Sequence, residues 1–433
     1  MAGLLSAAAL AGCNNGGTTT TGGGGGGGTA AGGSVYWLNF KPEANDALQK
    51  VAKLYKEKKG VEVKVVTAAS GKYEETLSAE MDKGDAAPTL FVIGSADKVK
   101  QWGDYAYDLK DTAIYKELNT DAYTLYNGDK VASIGYCFEC YGIIVNPDLV
   151  TKAGYKVEDI KDFASLKTVV EGIHAKAGDL GFDAFTSCDM DGSSSWRFTG
   201  HMANLEYYYE EKESGSTWTS CPDTITGKYL PNFKNLYDLC TQNSISKPSE
   251  LATGGHDADN QFKSGKAAFT VQGSWTWGGD SDYKSSVPNA KMIPYDCGVA
   301  GEEKAGLNCG TENCWAVNAK ASEANRQATL DFMYWCVTEK EASDILVDAF
   351  GVMPYKNATK STNQFLANAD EYAAAGNYVM DWATNFQPNV DEYRAALVSA
   401  LNKYNGDQTD ANWEGVKAAF VDGWATQAKK AKG

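Results

Sequence analysis

Histidine, basic residues near the start and long apolar runs are what this 433-residue chain has least of. The three histidines, His174, His201 and His256, lie far apart with no second His or Cys at zinc spacing, which argues against a transition-metal site. No Gly-x-Gly-x-x-Gly follows a strand, and neither a phosphate-binding Gly-x-x-x-x-Gly-Lys-Ser/Thr loop nor a Gly-x-Ser-x-Gly elbow occurs. Asp189-x-Asp191-Gly192 matches the start of a calcium loop but lacks the remaining ligands, so a solvated turn explains it better. No metal and no cofactor are expected. Lys and Arg number 40 against 56 Asp and Glu, and a net charge of -16 speaks against nucleic-acid partners, which require concentrated positive charge. No stretch reaches the roughly 18 apolar residues of a membrane span, so any transport must be carried out by a partner.

At the start of the chain, Leu4 to Ala11 form a short apolar run that ends at Leu10-Ala11-Gly12-Cys13. This resembles a bacterial lipobox, with Cys13 as the lipidated residue and 1–13 as the remnant of a signal peptide. Nothing basic precedes Lys41, so the n-region is expected to be cut short. Residues 14–33 are a Gly/Thr tract without side chains for a core, a flexible tether whose span is on the order of 25 Å. A folded domain would then be held just outside the cell membrane, through a lipid anchor only.

Ten cysteines leave nine once Cys13 is lipidated, an odd number that cannot all pair within the chain. Free thiols in an exported protein hint at a weakly oxidising habitat, such as that of an anaerobe. Cys137-x-x-Cys140 falls in the apolar run Ile134 to Val145, where residues three apart on a strand point to opposite faces, so a local redox pair is not expected. Cys309 and Cys314 are a better pair if a turn forms at Gly310.

From Ser34 onward about 400 residues remain, more than one core usually serves, and two lobes are expected. Val35 to Phe40 reads as a strand, and Ala44, Leu48, Val51, Leu54 and Tyr55 then recur at helical spacing. Val61, Val63 and Val65 alternate as a second strand, Tyr73, Leu77 and Met81 mark a second helix, and Thr89 to Ile93 a third strand. This alternation predicts an α/β fold with mostly parallel sheets flanked by helices. Phe163, Leu166, Val169, Val170 and Ile173 continue the rhythm, and Trp413, Val416, Phe420 and Trp424 line a late helix that Asp410 would cap.

The chemistry-bearing pattern is a set of aromatics beside short polar groups in Gly-broken segments: Trp196-Arg197, Gly273-Ser274-Trp275-Thr276-Trp277-Gly278, Glu312-Asn313 and Asp381-Trp382. A pyranose offers an apolar C–H face to an aromatic ring and a rim of hydroxyls to Asn, Asp, Glu and Arg. Each tryptophan taken singly is also explained as a core residue. Trp275 stands apart, because its Gly and Ser neighbours provide no periodic apolar face for it to join. Glycoside hydrolysis needs only two suitably spaced carboxylates, and the composition leaves that alternative open.

Four stretches carry a family resemblance: Val61 to Val66 with Gly71-x-Tyr73; Tyr136 to Asn146; Gly265-Lys266-Ala267-Ala268-Phe269-x-x-x-Gly273-Ser274-Trp275; and Gly306 to Asn318 with Gly351-Val352-Met353-Pro354. In these the chain resembles the extracellular solute-binding proteins of carbohydrate ABC importers, the group that includes maltose-binding protein. Cys137, Cys140 and Cys314 depart from the usual residue types there. The resemblance implies a two-lobed periplasmic-binding-protein-like fold of type II with a hinge. It places 34–141 and 296–349 in the first lobe, 142–295 and 350–433 in the second. Crossings are implied near Tyr141 to Val145 and Met292 to Tyr295, with a return around Phe350 to Pro354. It further implies that Glu139 takes sugar hydroxyls and Trp275 stacks on a ring, with Lys41, Tyr73, Trp196, Arg197, Trp277, Glu312, Asn313 and Trp382 as further ligand contacts. The function implied is a monomeric, non-enzymatic, extracytoplasmic receptor of a Gram-positive cell. It would hand an oligosaccharide to permease subunits, with a non-sugar solute as an alternative.

Overall fold

The computed structural model describes residues 32–431 except 193, 216, 253 and 280. Cys13 and the tether up to residue 31 lie outside the described residues. Twelve strands occur among them: β1 (Val35–Asn39), β2 (Val63–Thr67), β3 (Leu90–Val92), β4 (Thr124–Asn127), β5 (Lys130–Gly135), β6 (Glu139–Val145), β7 (Asp183–Phe185), β8 (Ala267–Gly273), β9 (Lys291–Ile293), β10 (Ala305–Gly310), β11 (Cys314–Val317) and β12 (Tyr378–Asp381). They form two sheets, ordered β2-β1-β3-β11-β5-β4 and β12-β10-β6-β8-β7, with β9 beside β6.

Local patterning explains the helices between them. Leu48, Val51, Ala52 and Tyr55 bury one face of the helix Asn45–Lys59, which stops where Gly60 takes the left-handed φ of 71°. The helix Phe163–His174 buries Leu166, Val169, Val170 and Ile173, and the Asp162 side chain caps it by accepting from Ser165 N. In the last helix, Asp410–Ala431, the expected stripe of Trp413, Val416, Phe420 and Trp424 is buried. Its cap is Thr409, whose hydroxyl accepts from Asn412 N, because the helix begins at Asp410 itself.

Helices flank both sheets, but the sheets are mixed instead of mostly parallel. β1 pairs in parallel with β2 and β3, whereas β11 runs antiparallel to β3 and β5, and β6 antiparallel to β8, β9 and β10. The reason is topological: a chain that leaves one sheet, traverses the other and comes back re-enters in the opposite direction. β5 lies in the first sheet and β6 in the second, so one crossing falls at residues 136–138; β10 and β11 make the reverse crossing at 311–313. This corrects the crossings expected near Tyr141 to Val145 and Met292 to Tyr295, since Tyr141 to Val145 belong to β6, and Met292 and Ile293 pair with it in β9. Residues 305–310, expected in the first lobe, belong to the second sheet. The return also comes later: Val352 bridges Phe138 and Tyr355 bridges Leu118 before the helix Gln364–Ala374 packs against the second sheet.

Each sheet has its own core, one built around Trp37, Trp315 and Phe332, the other around Tyr207, Tyr237 and Trp424. A smaller cluster of Cys140, Met292, Cys309 and Phe365 lies against the second sheet. All nine cysteines of the described residues are buried free thiols. Cys309 and Cys314 do not pair, because β10 and β11 lie in different sheets and no hairpin turn forms at Gly310. Cys309 Sγ points to Leu307 O (3.5 Å) and Cys314 Sγ to Tyr123 O (3.7 Å).

Candidate functional site

The two crossings run side by side and carry Glu139 and Asn313 to one spot. Lys41 arrives there from the end of β1, its backbone fixed by Asn39, whose side chain accepts from Lys41 N (3.0 Å) and donates to Lys41 O (2.6 Å). Lys41 Nζ donates to Glu139 Oε1 at 2.6 Å and pairs with Glu43 at 2.8 Å, while Asn313 Nδ2 donates to Glu139 Oε2 at 2.6 Å. Tyr136 OH reaches Asn313 Oδ1 (3.3 Å) and completes the network. Lys41 and Glu139 are only 4% and 3% exposed, so their charges are stabilised by each other and not by water. Burial opposes the Lys41 charge, but Glu139 and Glu43 more than offset it and hold the ammonium well above its ordinary pKa. Burial, helped by the Glu43 and Glu312 charges, holds the Glu139 carboxyl above its ordinary value against the lowering effect of Lys41.

This network lies at the base of a cleft with a cavity volume of about 260 Å³. One wall comes from the first sheet: Phe40, Glu43, Ser70, Tyr73, Glu74 and Lys98. Tyr73 OH accepts from Val92 N (2.7 Å) and donates to Leu38 O (3.4 Å), so the phenol braces the strand ends while its ring faces the cleft. Lys98 pairs with Glu74 at 3.2 Å, and Trp102 Nε1 donates to the same carboxylate.

The opposite wall is aromatic: Trp196, His201, Trp275 and Trp382, with Thr384, Asn385 and Arg394 at its edge. Glycines make this packing possible. A Cβ on Gly273 would overlap the Trp275 ring (2.0 Å), and one on Gly310 would press on Trp382 (2.8 Å), so both rings lie over bare backbone. His201 is held by a π-helical segment, Arg197–Met202, in which residues five apart come together: Ala203 N donates to Phe198 O (2.9 Å), and the Trp196 and His201 rings meet at 4.9 Å. The His201 ring stacks on Tyr141 at 4.1 Å and lies 5.3 Å from Trp275. Burial, then the charges of Arg394, Arg197 and Lys41, hold its imidazole well below the usual 6.5, so it is neutral near pH 7. Its Nδ1, together with Trp382 Nε1, Tyr141 OH and Thr384 Oγ1, is buried without a hydrogen-bond partner among the described residues.

Of the residues singled out in the sequence, Lys41, Tyr73, Glu139, Trp196, Trp275, Glu312 and Trp382 line this one cleft. Three do not. Asn313 is buried behind Glu139 and acts on it. Arg197 turns toward an adjoining pocket, where it pairs with Asp259 at 3.4 Å and lies 4.4 Å from the Trp196 ring. Trp277 packs edge-on against Phe365 at 5.1 Å in the small cluster, because the turn Ser274–Thr276 points it away from Trp275. His201, Arg394, Thr384 and Asn385 line the cleft without having been foreseen. A π turn produces no 3.6-residue signal, and Arg394 sits on a helix, Val390–Gly406, that reads as ordinary amphipathic structure.

A family described as bacterial extracellular solute-binding protein matches residues 50–377, well over half of the chain. The chain belongs to this family. No curated protein sequence matches it. Solved structures match in fold along most of its length. One is described as the solute-binding protein RafE in complex with raffinose (19% identity, 89% of this chain and 98% of that one, TM-score 0.67). Another is a sugar transporter from Bacillus licheniformis in complex with stachyose (17%, 91% and 100%, 0.66). A third is the GacH receptor of Streptomyces glaucescens GLA.O, described as studied unliganded and with acarbose (18%, 92% and 98%, 0.61). As a member of an extracellular solute-binding family, this chain works outside the cytoplasm, and none of the helices among its described residues is long and apolar enough to cross a membrane.

Proposed function

We propose that this protein is a receptor that captures an oligosaccharide between its two lobes and presents it to the permease of an ABC importer, with no catalysis of its own. The observation that carries this reading is the aromatic wall of Trp196, His201, Trp275 and Trp382, opposed across the cleft by charged and polar side chains. Aromatic faces suit the C–H face of a pyranose, and hydrogen-bonding groups at their rim suit its hydroxyls. The fold neighbours described with raffinose, stachyose and acarbose support a sugar over a peptide or polyamine. A hydrolytic reading is disfavoured at Glu139, because both of its carboxylate oxygens are engaged by Lys41 and Asn313.

In this proposal Glu139, Glu312, Trp196, Trp275, Trp382, Lys41 and Tyr73 are ligand contacts, joined by His201 and Arg394. The first lobe comprises residues 34–138 and 311–362, the second 139–310 and 363–431, and they close over the sugar by bending at the paired crossings. Cys13 carries the lipid, and the tether of residues 14–33 holds the receptor near its permease; more than one acyl chain is needed for stable retention. Thermal-shift screening against neutral oligosaccharides, followed by calorimetry and solution scattering, tests the reading. The expected outcome is saturable binding with a smaller radius of gyration; release of reducing ends dependent on Glu139 would overturn it.

A further inference from the structure

We propose that Cys140 and Cys309 form a disulfide site, closed by thiol–disulfide exchange with a small-molecule disulfide while the exported chain folds. The argument begins with strand register. Cys140 of β6 is the direct antiparallel partner of Cys309 of β10, flanked by Tyr141 opposite Asn308 and Glu139 opposite Gly310. Cys140 N donates to Ser274 Oγ (3.1 Å), on the β8 side of β6. Its backbone polar groups therefore point away from β10, and the cysteines form a non-hydrogen-bonded pair, with Cα atoms about 4.5 Å apart in such ladders. That spacing lies within the roughly 4.4–6.8 Å range that disulfides span.

Directly opposed residues put their side chains on the same sheet face, and both thiols enter the small cluster with Met292 and Phe365. Cys140 Sγ lies 3.7 Å from Met292 Sδ and 3.5 Å from Phe365 O. Among the described residues, no other two cysteines are partners in the strand register. Membership of an extracellular family supplies the second observation, since disulfides form and persist outside the reducing cytosol.

The chemistry closes without further reagents. One cysteine thiolate attacks a sulfur of the small disulfide, forming a mixed disulfide and expelling one small thiolate; the second cysteine, as thiolate, attacks the protein sulfur of that bond and expels the other. Two protein thiols and one small disulfide become one protein disulfide and two small thiols, which take up the two protons. In the folded chain Cys140 and Cys309 are 0% and 5% exposed, and burial, followed by the adjacent Cys309 thiol, holds the Cys140 thiol well above its usual range. Exchange therefore belongs to folding, before β6 and β10 are covered. The bond joins the roots of both crossings, one residue from Glu139 and two residues before Thr311, and so fixes the spacing that lets Asn313 reach Glu139.

The test refolds the full chain in a reduced/oxidised glutathione buffer, alkylates it and digests it without reductant. The expected product is a linked peptide pair containing Cys140 and Cys309, two hydrogens lighter than the sum of its parts. Recovery of both cysteines alkylated, or of either bound to a different cysteine, overturns the proposal. As a second readout, reductant should lower the melting temperature of the oxidised wild type on the order of 5 °C and leave the Cys140→Ala/Cys309→Ala protein unchanged. An equal response from both proteins would also overturn it.

Discussion

The two walls of the cleft solve opposite problems. On the first-sheet side and at the crossings, charges are matched within the protein: Lys41 with Glu139 and Glu43, Lys98 with Glu74, Glu139 with Asn313. On the second-sheet side large apolar rings dominate, and the buried polar atoms of Tyr141, His201, Trp382 and Thr384 have no hydrogen-bond partner among the described residues. Leaving such groups unsatisfied costs about 1–3 kcal/mol each. In the proposed function a ligand with an apolar face would stack on the rings of this wall and meet hydrogen-bonding groups at its edge. The charged wall is thus organised by its own internal pairs, and the aromatic wall by ring packing.

The largest expected effect strikes the charged wall. Glu139→Ala leaves the buried Lys41 ammonium with Glu43 as its remaining carboxylate and should lower stability by about 3 kcal/mol in urea unfolding, with the Lys41→Met/Glu139→Leu pair recovering most of the loss. A single variant as stable as wild type would show that Glu43 alone suffices to hold Lys41. The comparison predicts something different for the aromatic wall. Trp275→Ala should weaken the best glycan roughly thirtyfold, about 2 kcal/mol, with the unliganded melting temperature little changed. Loss of apo stability with affinity preserved would move Trp275 from the wall into the core.

His201 sharpens the contrast through pH. Its folded pKa is depressed below the unfolded value of 6.5, so under acid the unfolded chain binds a proton that the native site refuses. Stability is therefore retained above about pH 6.5 and falls as pH drops below it, by up to about 1.4 kcal/mol per pH unit from this group. The His201→Gln protein should show a shallower decline between pH 6.5 and 5; an identical slope would mean that the ring charges without penalty. The smallest change in affinity is expected for Trp277→Ala. Because Trp277 packs on Phe365 outside the cleft, calorimetry should find less than a twofold change while the melting temperature falls.

Much of the architecture was legible in residue patterns. The alternation of Val63 and Val65, the stripe Leu48–Val51–Tyr55 and the stripe Trp413–Val416–Phe420–Trp424 each report a local periodicity, and each element forms where its pattern lies. Trp275 stood out because its neighbours could not build an apolar face, and Gly273 shows why: the ring needs bare backbone beneath it. Local pattern also misled. Trp277 shares the composition of Trp275 but points to another cluster, and Arg197 follows Trp196 yet faces the adjoining pocket.

What the sequence by itself determined is the α/β class, the strongly periodic elements and the pairing of aromatic with short polar side chains, because these follow from composition and from spacings of a few residues. Only the tertiary structure decided where the chain crosses between sheets, which put β10 in the second sheet and set Glu139 beside Asn313 and Lys41. It alone brought His201 and Arg394 to the cleft and set Cys140 opposite Cys309. Those placements depend on strand pairings between segments more than a hundred residues apart, and on a π turn that breaks the helical period. Neither leaves a mark in local sequence, since register is settled by the packing of whole sheets.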